Sequence, residues 1–294
     1  MAAVRTGIDI SPTTITAAQV RVTDSRWVVL AHASMNRRSS GPVLDREDAV
    51  ALESLLFRRG FTSAPCVISA PENAIRSTTL ELPPIKSGAP IDQLARAEFA
   101  RRHKLEADSF ELSYWALPAS GQSLHVMAVG CETRPTDEAI GALESAGLLV
   151  AGVDDSTRAL GRVLASVPTL ATVRVGARLD AWGASIVVLH HGTVLYMRSP
   201  NGLVLGRDAI EHAEAAQRLG GEIDACVAFA RHRSRSHAPA SVSVLGQAAQ
   251  NDVLMDMLGQ RFGDALAQPV APDGSSLDPA LAVAVGLTLL EDLA

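Results

Sequence analysis

The sequence contains one pattern twice: a short apolar strand that ends in an aspartate, a turn of small or hydroxylated residues, and a second strand. The first copy is GIDISPTTITAAQVRV, in which the strand ends at Asp9. The second copy is VRVGARLDAWGASIVVLHHGTVLYMRS, in which the strand ends at Asp180 and a turn follows from Gly183 to Ser185. A carboxylate on each of two hairpin turns predicts two related halves that face one cleft.

The turns of this repeat have the chemistry of a phosphate site. Small residues let backbone N–H groups approach a phosphate closely. A carboxylate beside such a turn can hold a magnesium ion, directly or through water. The alternative for Asp9 and Asp180 is a structural role, in which each aspartate caps its own hairpin. Residue types alone leave both interpretations open.

Composition limits the class of protein. With 294 residues, of which 47% are hydrophobic and 20% charged, the chain can bury the core of one large domain or two ordinary ones. A net charge of -6 argues against nucleic acid as the main ligand. No signal-peptide stretch opens the sequence, and no window approaches the roughly 18 apolar residues of a membrane span. We therefore expect a cytoplasmic protein that reaches a membrane only through a partner.

The order of predicted elements suggests how the chain is divided. Three strands in a meander, a helix opened by Asp45 and a fourth strand come first. The composition then changes at the loop KSGAP, which is rich in Ser, Gly and Pro, and this change marks the start of a small α/β insert. The expected segments are a first half (1–84), the inserted subdomain (85–152), a return to the first half (153–171) and a second half (172–294).

Local signals in the later part of the chain predict several helices. Thr136 is expected to cap one helix. The sequence AIEHAEAAQRLGGEIDACVAFARHR predicts two helices in succession, separated at its glycine pair. A last helix is expected from Pro279 nearly to Ala294.

The order βββαβ, insert, βββ and helices resembles the actin-like ATPase superfamily, which has a ribonuclease H-like core. More narrowly, it resembles PilM-type pilus assembly proteins, which are relatives of FtsA and of the L-type cytoplasmic domains of type II secretion. Three segments carry the resemblance: GIDISPTTIT, ENAIRSTTLELPPIKSGAPIDQLARAEFARR and VMAVGCETRPTDEAIGALESAGLLVAGVDDSTRALGRVL. It implies an α/β duplicated fold of two lobes with a small inserted α/β subdomain. The short stretch after Arg198 implies a trimmed upper subdomain in the second half.

The resemblance also implies a nucleotide site with ATP and magnesium as cofactors. Asp9 is its implied metal ligand, and Gly246 is implied at the turn beside the base, against the alternative of an ordinary strand-to-helix glycine. The residues implied to contact the nucleotide are Asp9, Ser11, Thr13, Thr14, Asp180, Gly183, Ser185 and Gly246.

Several residues depart from the pattern of the family. Its first hairpin has glycine at the position of Ser11 and often lysine at Thr16, and Pro12 here removes one backbone N–H. In the second hairpin Trp182 would crowd a phosphate. Gln247 replaces the second glycine of the base-side turn and lacks its freedom in φ. We therefore expect weak nucleotide binding and, at most, a weak ATPase.

The function implied by the resemblance is that of a PilM-like component of a type IV pilus or type II secretion assembly platform. Such proteins bind the cytoplasmic N-terminal segment of an inner-membrane partner in a groove beside the inserted subdomain. Here that groove is expected near Leu94 to Phe99 and Leu143 to Val150. Whether the chain forms a homo-oligomer is left open.

Two alternatives to this function stay open. The first is a phosphotransferase of the sugar-kinase branch, which would need an acidic base aimed at a substrate hydroxyl. The sequence shows no recognisable Gly/Asp loop for such a base. The second is an actin-like scaffold that binds no nucleotide.

Overall fold

A computed structural model describes residues 3–23, 26–118, 123–234 and 240–290. The expected turn at 119–122 and the end of the chain at 291–294 lie outside these ranges. The strands are β1 (Ala3–Ile10), β2 (Thr14–Thr23), β3 (Arg26–Asn36), β4 (Cys66–Ser69), β5 (Ile75–Leu82), β6 (Phe110–Ala116), β7 (Leu124–Glu132), β8 (Val150–Asp154), β9 (Val173–Asp180), β10 (Gly183–His190), β11 (Thr193–Arg198) and β12 (Ala240–Leu245). The helices are α1 (Arg46–Arg58), α2 (Ile91–His103), α3 (Thr133–Ser145), α4 (Ser156–Ser166), α5 (Ala209–Ser234), α6 (Asp252–Phe262) and α7 (Ala282–Thr288).

Two of the sheets repeat one arrangement. The first has the strand order β3-β2-β1-β4-β8, and the second has the order β11-β10-β9-β12. β1 pairs antiparallel with β2 and parallel with β4. In the same way, β9 pairs antiparallel with β10 and parallel with β12. The duplicated meander predicted from the sequence is therefore confirmed, and the fold class is α/β with two related halves.

A third sheet, β5-β7-β6, forms the insert together with α2. Its core is apolar and includes the aromatic pair Phe99 and Phe110. β5 belongs to this sheet because it pairs along its whole length with β7. β8 pairs instead with β4, and α3 packs against α1 in the core of the first half. The three-stranded sheet thus extends over 75–132, which differs from the segment 85–152 expected from the sequence.

A capping side chain explains where α1 begins. The start of α3 and the length of α5 differ from what the sequence predicts. The Asp45 carboxylate accepts a hydrogen bond from the Asp48 N–H, as predicted for the start of α1. α3 begins at Thr133, so Thr136 lies inside it, where its hydroxyl donates to the Glu132 carbonyl at 2.8 Å. α5 continues through the glycine pair at 220–221 as a single helix, because a glycine lowers helix propensity without ending a packed helix.

The last helix, α7, ends at Thr288 and is shorter than predicted. All its residues are buried, and it packs against β1 and β2 of the first sheet and against α4, which itself packs against β10 of the second sheet. α7 therefore lies between the two sheets and not only within the second half. Two glycines allow this close approach. A Cβ on Gly7 would lie 1.9 Å from the Ala284 carbonyl oxygen, and one on Gly286 would lie 2.0 Å from that of Ala159.

Candidate functional site

The two hairpin aspartates lie on either side of one arginine. Asp9 is near the end of β1 in the first half, and Asp180 ends β9 in the second. Arg178, also on β9, donates from Nη2 to Asp9 Oδ2 at 2.8 Å and from Nε to Asp180 Oδ2 at 2.5 Å. The predicted meeting of Asp9 and Asp180 across one site is therefore observed, with a guanidinium between them.

The three charged side chains are shielded from solvent, with at most 8% of each exposed. Burial disfavours the charged form of Arg178. The neighbouring carboxylates of Asp9 and Asp180 outweigh this effect and raise the pKa of Arg178 above its usual value. The Trp182 ring covers the guanidinium, with the Arg178 Cζ atom 4.8 Å from the ring centroid. The remaining nitrogen, Nη1, is buried without a hydrogen-bond partner among the described residues.

The turn of the first hairpin satisfies its own backbone groups. The Ser11 hydroxyl accepts from the backbone N–H of Thr14 at 2.9 Å and of Thr13 at 3.4 Å. The same hydroxyl contacts the Thr14 hydroxyl at 2.8 Å. Behind the turn, the buried Arg37 guanidinium donates to the Ser11 carbonyl at 3.0 Å and pairs with Asp48 of α1 at 3.2 Å. The backbone N–H groups of Thr13 and Thr14, which were expected to face a phosphate, therefore donate to a side chain of their own turn.

The second hairpin is tied to the turn after β12. Asp180 Oδ1 accepts from the Gln247 N–H at 2.7 Å, and Gln247 Oε1 accepts from the Ala181 N–H at 3.2 Å. Gly246 has φ +74°, and a Cβ there would lie 2.6 Å from Asp180 Oδ1. Gly246 is therefore required at this turn, where it contacts Asp180 and the stem of Arg178.

The other two predicted residues of the second hairpin lie on β10. Gly183 is paired with Asp180, and Ser185 is paired with Arg178. Residues directly opposite each other on paired strands share a face of the sheet. The Ser185 side chain is nearly buried and lines the cleft that opens beside the arginine.

This cleft has a volume of about 590 Å³ and lies between the insert and the hairpin β10–β11. Its mixed lining includes Glu72, Arg76, Ser77, His103, Asp155, Trp182, Ser185 and Arg198. Partial burial raises the pKa of Glu72 to about 7, an effect that Arg178 opposes and that Asp9 and Asp180 reinforce. Among the described residues, no group of three or more His, Cys, Asp or Glu side chains could hold a metal ion.

The residues at the hairpins do not fit a magnesium ion between the aspartates. Magnesium requires oxygen ligands at about 2.0–2.1 Å in near-octahedral geometry. Both oxygens of Asp180 already accept hydrogen bonds, from Arg178 and from Gln247. Asp9 is paired with the same guanidinium, whose positive charge would repel a metal ion. The arginine thus stands where the sequence predicts a cation.

Asp9, Asp180 and Gly246 were predicted from the sequence and do converge. The central residue, Arg178, was missed. The available signal was its position in the strand, two residues before Asp180 and hence on the same face. Glu72 was also missed, and no local pattern marks it, since it lies in a short helical turn after β4.

Structural comparison places these features in a known fold. No family model and no curated protein matches the sequence. A chain of the PilM–PilN type IV pilus biogenesis complex matches with TM-score 0.70 and 19% identity, over 97% of each chain. The ethanolamine utilization protein EutJ from Carboxydothermus hydrogenoformans matches with TM-score 0.52 and 12% identity, over 98% of this chain and 89% of that one.

A third structure with the same fold was solved with a nucleotide. It is the activator of 2-hydroxyisocaproyl-CoA dehydratase from Clostridium difficile with bound ADPNP, at TM-score 0.51 and 10% identity, over 98% of this chain and 93% of that one. At these identities the comparisons establish the fold. The chain has the actin-like ATPase fold, and its similarity to a PilM–PilN complex chain extends over nearly its whole length.

Proposed function

We propose that this chain is a cytoplasmic, PilM-like component of a type IV pilus or type II secretion assembly platform. In that role it binds the cytoplasmic N-terminal segment of an inner-membrane partner. The observation that carries the proposal is the match to the PilM–PilN complex chain, which covers 97% of both chains at TM-score 0.70. EutJ and the dehydratase activator cover this chain to the same extent, but their TM-scores are 0.52 and 0.51, so the PilM–PilN chain is the more similar structure.

A groove beside the insert suits an extended segment. It has a volume of about 160 Å³ and is lined by residues of β5, β6 and β7 on one face of the insert's sheet, by the end of β8 and by Arg158 of α4. β6 and β8 are each the last strand in their sheet among the described residues, so each leaves one edge without a strand neighbour. Extended peptides bind such edges through main-chain hydrogen bonds, with apolar pockets for alternate side chains. The apolar lining here includes Ile75, Leu112 and Val153.

The two segments where the groove was expected from the sequence are less suitable. Within Leu94 to Phe99, Ala95 and Phe99 are buried in the core of the insert. Within Leu143 to Val150, Leu143 is buried in the core of the first half. Leu149 is exposed, but it lines a different cavity of about 300 Å³ beside α1. We therefore place the partner's segment between β6 and β8.

In this proposal the affinity for ATP and magnesium is weak and hydrolysis is slow or absent. Support comes from the N–H groups of Thr13 and Thr14, which bind Ser11, and from Asp180, which binds Arg178. The sugar-kinase alternative would need a magnesium–nucleotide complex beside Asp9. No contact of the described residues favours that alternative over the scaffold.

A binding measurement with matched variants tests the proposal. The probe is a fluorescent peptide with the N-terminal cytoplasmic sequence of a PilN-type inner-membrane protein from the source organism, titrated with the full chain. Ser113 is exposed on β6 and lines the groove, so Ser113→Trp fills it. Ala116 is exposed on the same strand outside the groove, so Ala116→Trp is the control. We expect saturable binding, at least tenfold weaker for S113W and unchanged for A116W. Equal affinities for the two variants would exclude this groove.

A further inference from the structure

The ion pairs of Arg178 cross the boundary between the two halves. Asp9 belongs to the first sheet, whereas Arg178 and Asp180 belong to the second, and 169 residues separate Asp9 from Arg178 along the chain. Two nitrogens of the guanidinium, Nε and Nη2, each donate to one carboxylate, so the arginine joins the halves at the two hairpin turns. Without Arg178, the carboxylates of Asp9 and Asp180 would face each other here without a cation between them.

The arginine is held closely on several sides. A Cβ on Gly246 would lie 3.0 Å from Arg178 Cγ, so the backbone of that turn packs directly against the arginine stem. Trp182 covers the guanidinium on one face. Asp180 is fixed in turn by the Gln247 N–H. For a metal ion to enter, Arg178 would have to leave this packing and abandon both ion pairs.

The charges at the site also disfavour an additional cation. The two carboxylates and the guanidinium are all nearly fully buried, and interactions between buried charges are stronger than in water. A metal ion added beside Arg178 would place two cations among two carboxylates. Removal of Arg178 would instead leave Asp9 and Asp180 facing each other, which is a charge arrangement that a divalent ion could relieve.

We infer that Arg178 is a built-in cation that replaces a metal ion between the hairpin aspartates. Its guanidinium joins the two halves permanently, so this site needs neither magnesium nor nucleotide to stay closed. The inference is independent of partner binding, because the groove between β6 and β8 contributes no residue to the ion pairs.

Cation rescue tests this inference with the full chain. Thermal unfolding midpoints are measured in EDTA and in increasing MnCl₂ for the wild type, Arg178→Met and the double variant Asp9→Asn/Arg178→Met. We expect no effect of Mn²⁺ on the wild type. Arg178→Met has a lower midpoint in EDTA, and Mn²⁺ raises it by several degrees in a saturable way. The added Asp9→Asn substitution removes that response, because it removes one ligand.

Arg174→Met is the matched control, because Arg174 is on the same strand and its guanidinium donates to the carbonyls of Leu164 and Val167. This variant should lower the midpoint without any response to Mn²⁺. The absence of a Mn²⁺ response in Arg178→Met, or an equal response in Arg174→Met, would overturn the inference.

Two further measurements keep the inference testable if Arg178→Met does not fold. Arg178→Lys keeps the charge but offers one ammonium, so it should unfold at a lower temperature than the wild type. A midpoint equal to that of the wild type would contradict the bridging role. Calorimetric titration with ATP and magnesium should give the same weak or absent heat for the wild type and for Asp9→Asn. Saturable binding that Asp9→Asn abolishes would show that the site still uses a metal.

Discussion

The pKa of Glu72 depends on the buried charges at the two hairpins. Its carboxyl lies at the edge of the cleft beside Arg178 and close to Gly183, where a Cβ would be in ordinary contact with Glu72 Oε1 at 3.4 Å. Partial burial raises the pKa of Glu72 from 4.5 to about 7, and the nearby Asp9 and Asp180 add to this effect. The folded protein therefore keeps this proton to a higher pH than the unfolded chain does.

The raised pKa of Glu72 predicts a pH dependence with a definite sign. Below pH 4.5 both states are protonated, whereas between pH 4.5 and about 7 the unfolded chain ionises first. Stability is therefore lost as pH rises through this range. Urea unfolding measures the free energy of unfolding at pH 5 and at pH 8. This free energy should fall more between the two pH values for the wild type than for Glu72→Gln. Glu81→Gln, at an exposed position on β5, is the control and should follow the wild type. The same pH dependence in Glu72→Gln and wild type would contradict the assignment.

At the scale of residues, the sequence predicts what local patterns encode. Asp9 and Asp180 follow apolar strands and precede turn residues, so their positions on the hairpins could be predicted. The role of Arg178 could not, because its contact with Asp9 joins residues 169 positions apart. Ser11 was predicted to contact a ligand, yet its hydroxyl serves its own turn, as short polar side chains often do.

At the scale of elements, α7 depends on glycine for its packing. The Gly286 backbone lies directly against α4, where a Cβ would be 2.0 Å from the Ala159 carbonyl oxygen. Gly286→Ala should therefore destabilise the protein by about 3 kcal/mol, at the upper end of the usual cost of overpacking. Chemical unfolding measures this change.

A matched glycine separates this packing effect from helix propensity. Gly141 is exposed in α3, and a Cβ there would meet no atom within 4 Å. Gly141→Ala should therefore stabilise the protein by ~0.5–1 kcal/mol. A destabilisation of similar size in both variants would mean that the close approach of α7 and α4 is not what Gly286 permits.

The structure agrees with the sequence prediction for elements that local residue patterns define. It differs for elements whose position depends on pairing or packing with residues distant in the sequence. β1, β2 and β3 lie where alternation and turn residues predict them. β5 was assigned to the first half by its position in the chain, but its pairing with β7 places it in the insert. The glycine pair in α5 suggested a break. The helix continues there because its apolar face packs against the second sheet, and packing outweighs propensity.

At the scale of the molecule, the halves are joined by apolar packing and by charge. One core cluster contains residues of β2, α4, β10 and α7, so it spans both sheets. The ion pairs of Arg178 join the sheets again at the hairpin turns. Among the described residues, the halves are thus connected both by this apolar cluster, which includes α7, and by the ion pairs of Arg178.

The same architecture predicts how the protein meets a membrane. Every residue of α7, the apolar helix near the end of the chain, is buried, so α7 has no free apolar face for a lipid surface. The net charge of -6 also disfavours an anionic surface. We therefore expect the full chain to stay in the supernatant when it is centrifuged with vesicles of phosphatidylcholine and phosphatidylglycerol.

Vesicles that display the partner's cytoplasmic segment on a lipid anchor should instead carry the chain into the pellet. Because the proposed binding site is the groove between β6 and β8, Ser113→Trp should abolish co-sedimentation and Ala116→Trp should preserve it. Vesicles with a scrambled segment on the same anchor control for the anchor itself. Sedimentation with bare vesicles would show a direct lipid contact and contradict recruitment through a partner. Sedimentation of S113W with the displayed segment would place the contact elsewhere on the molecule.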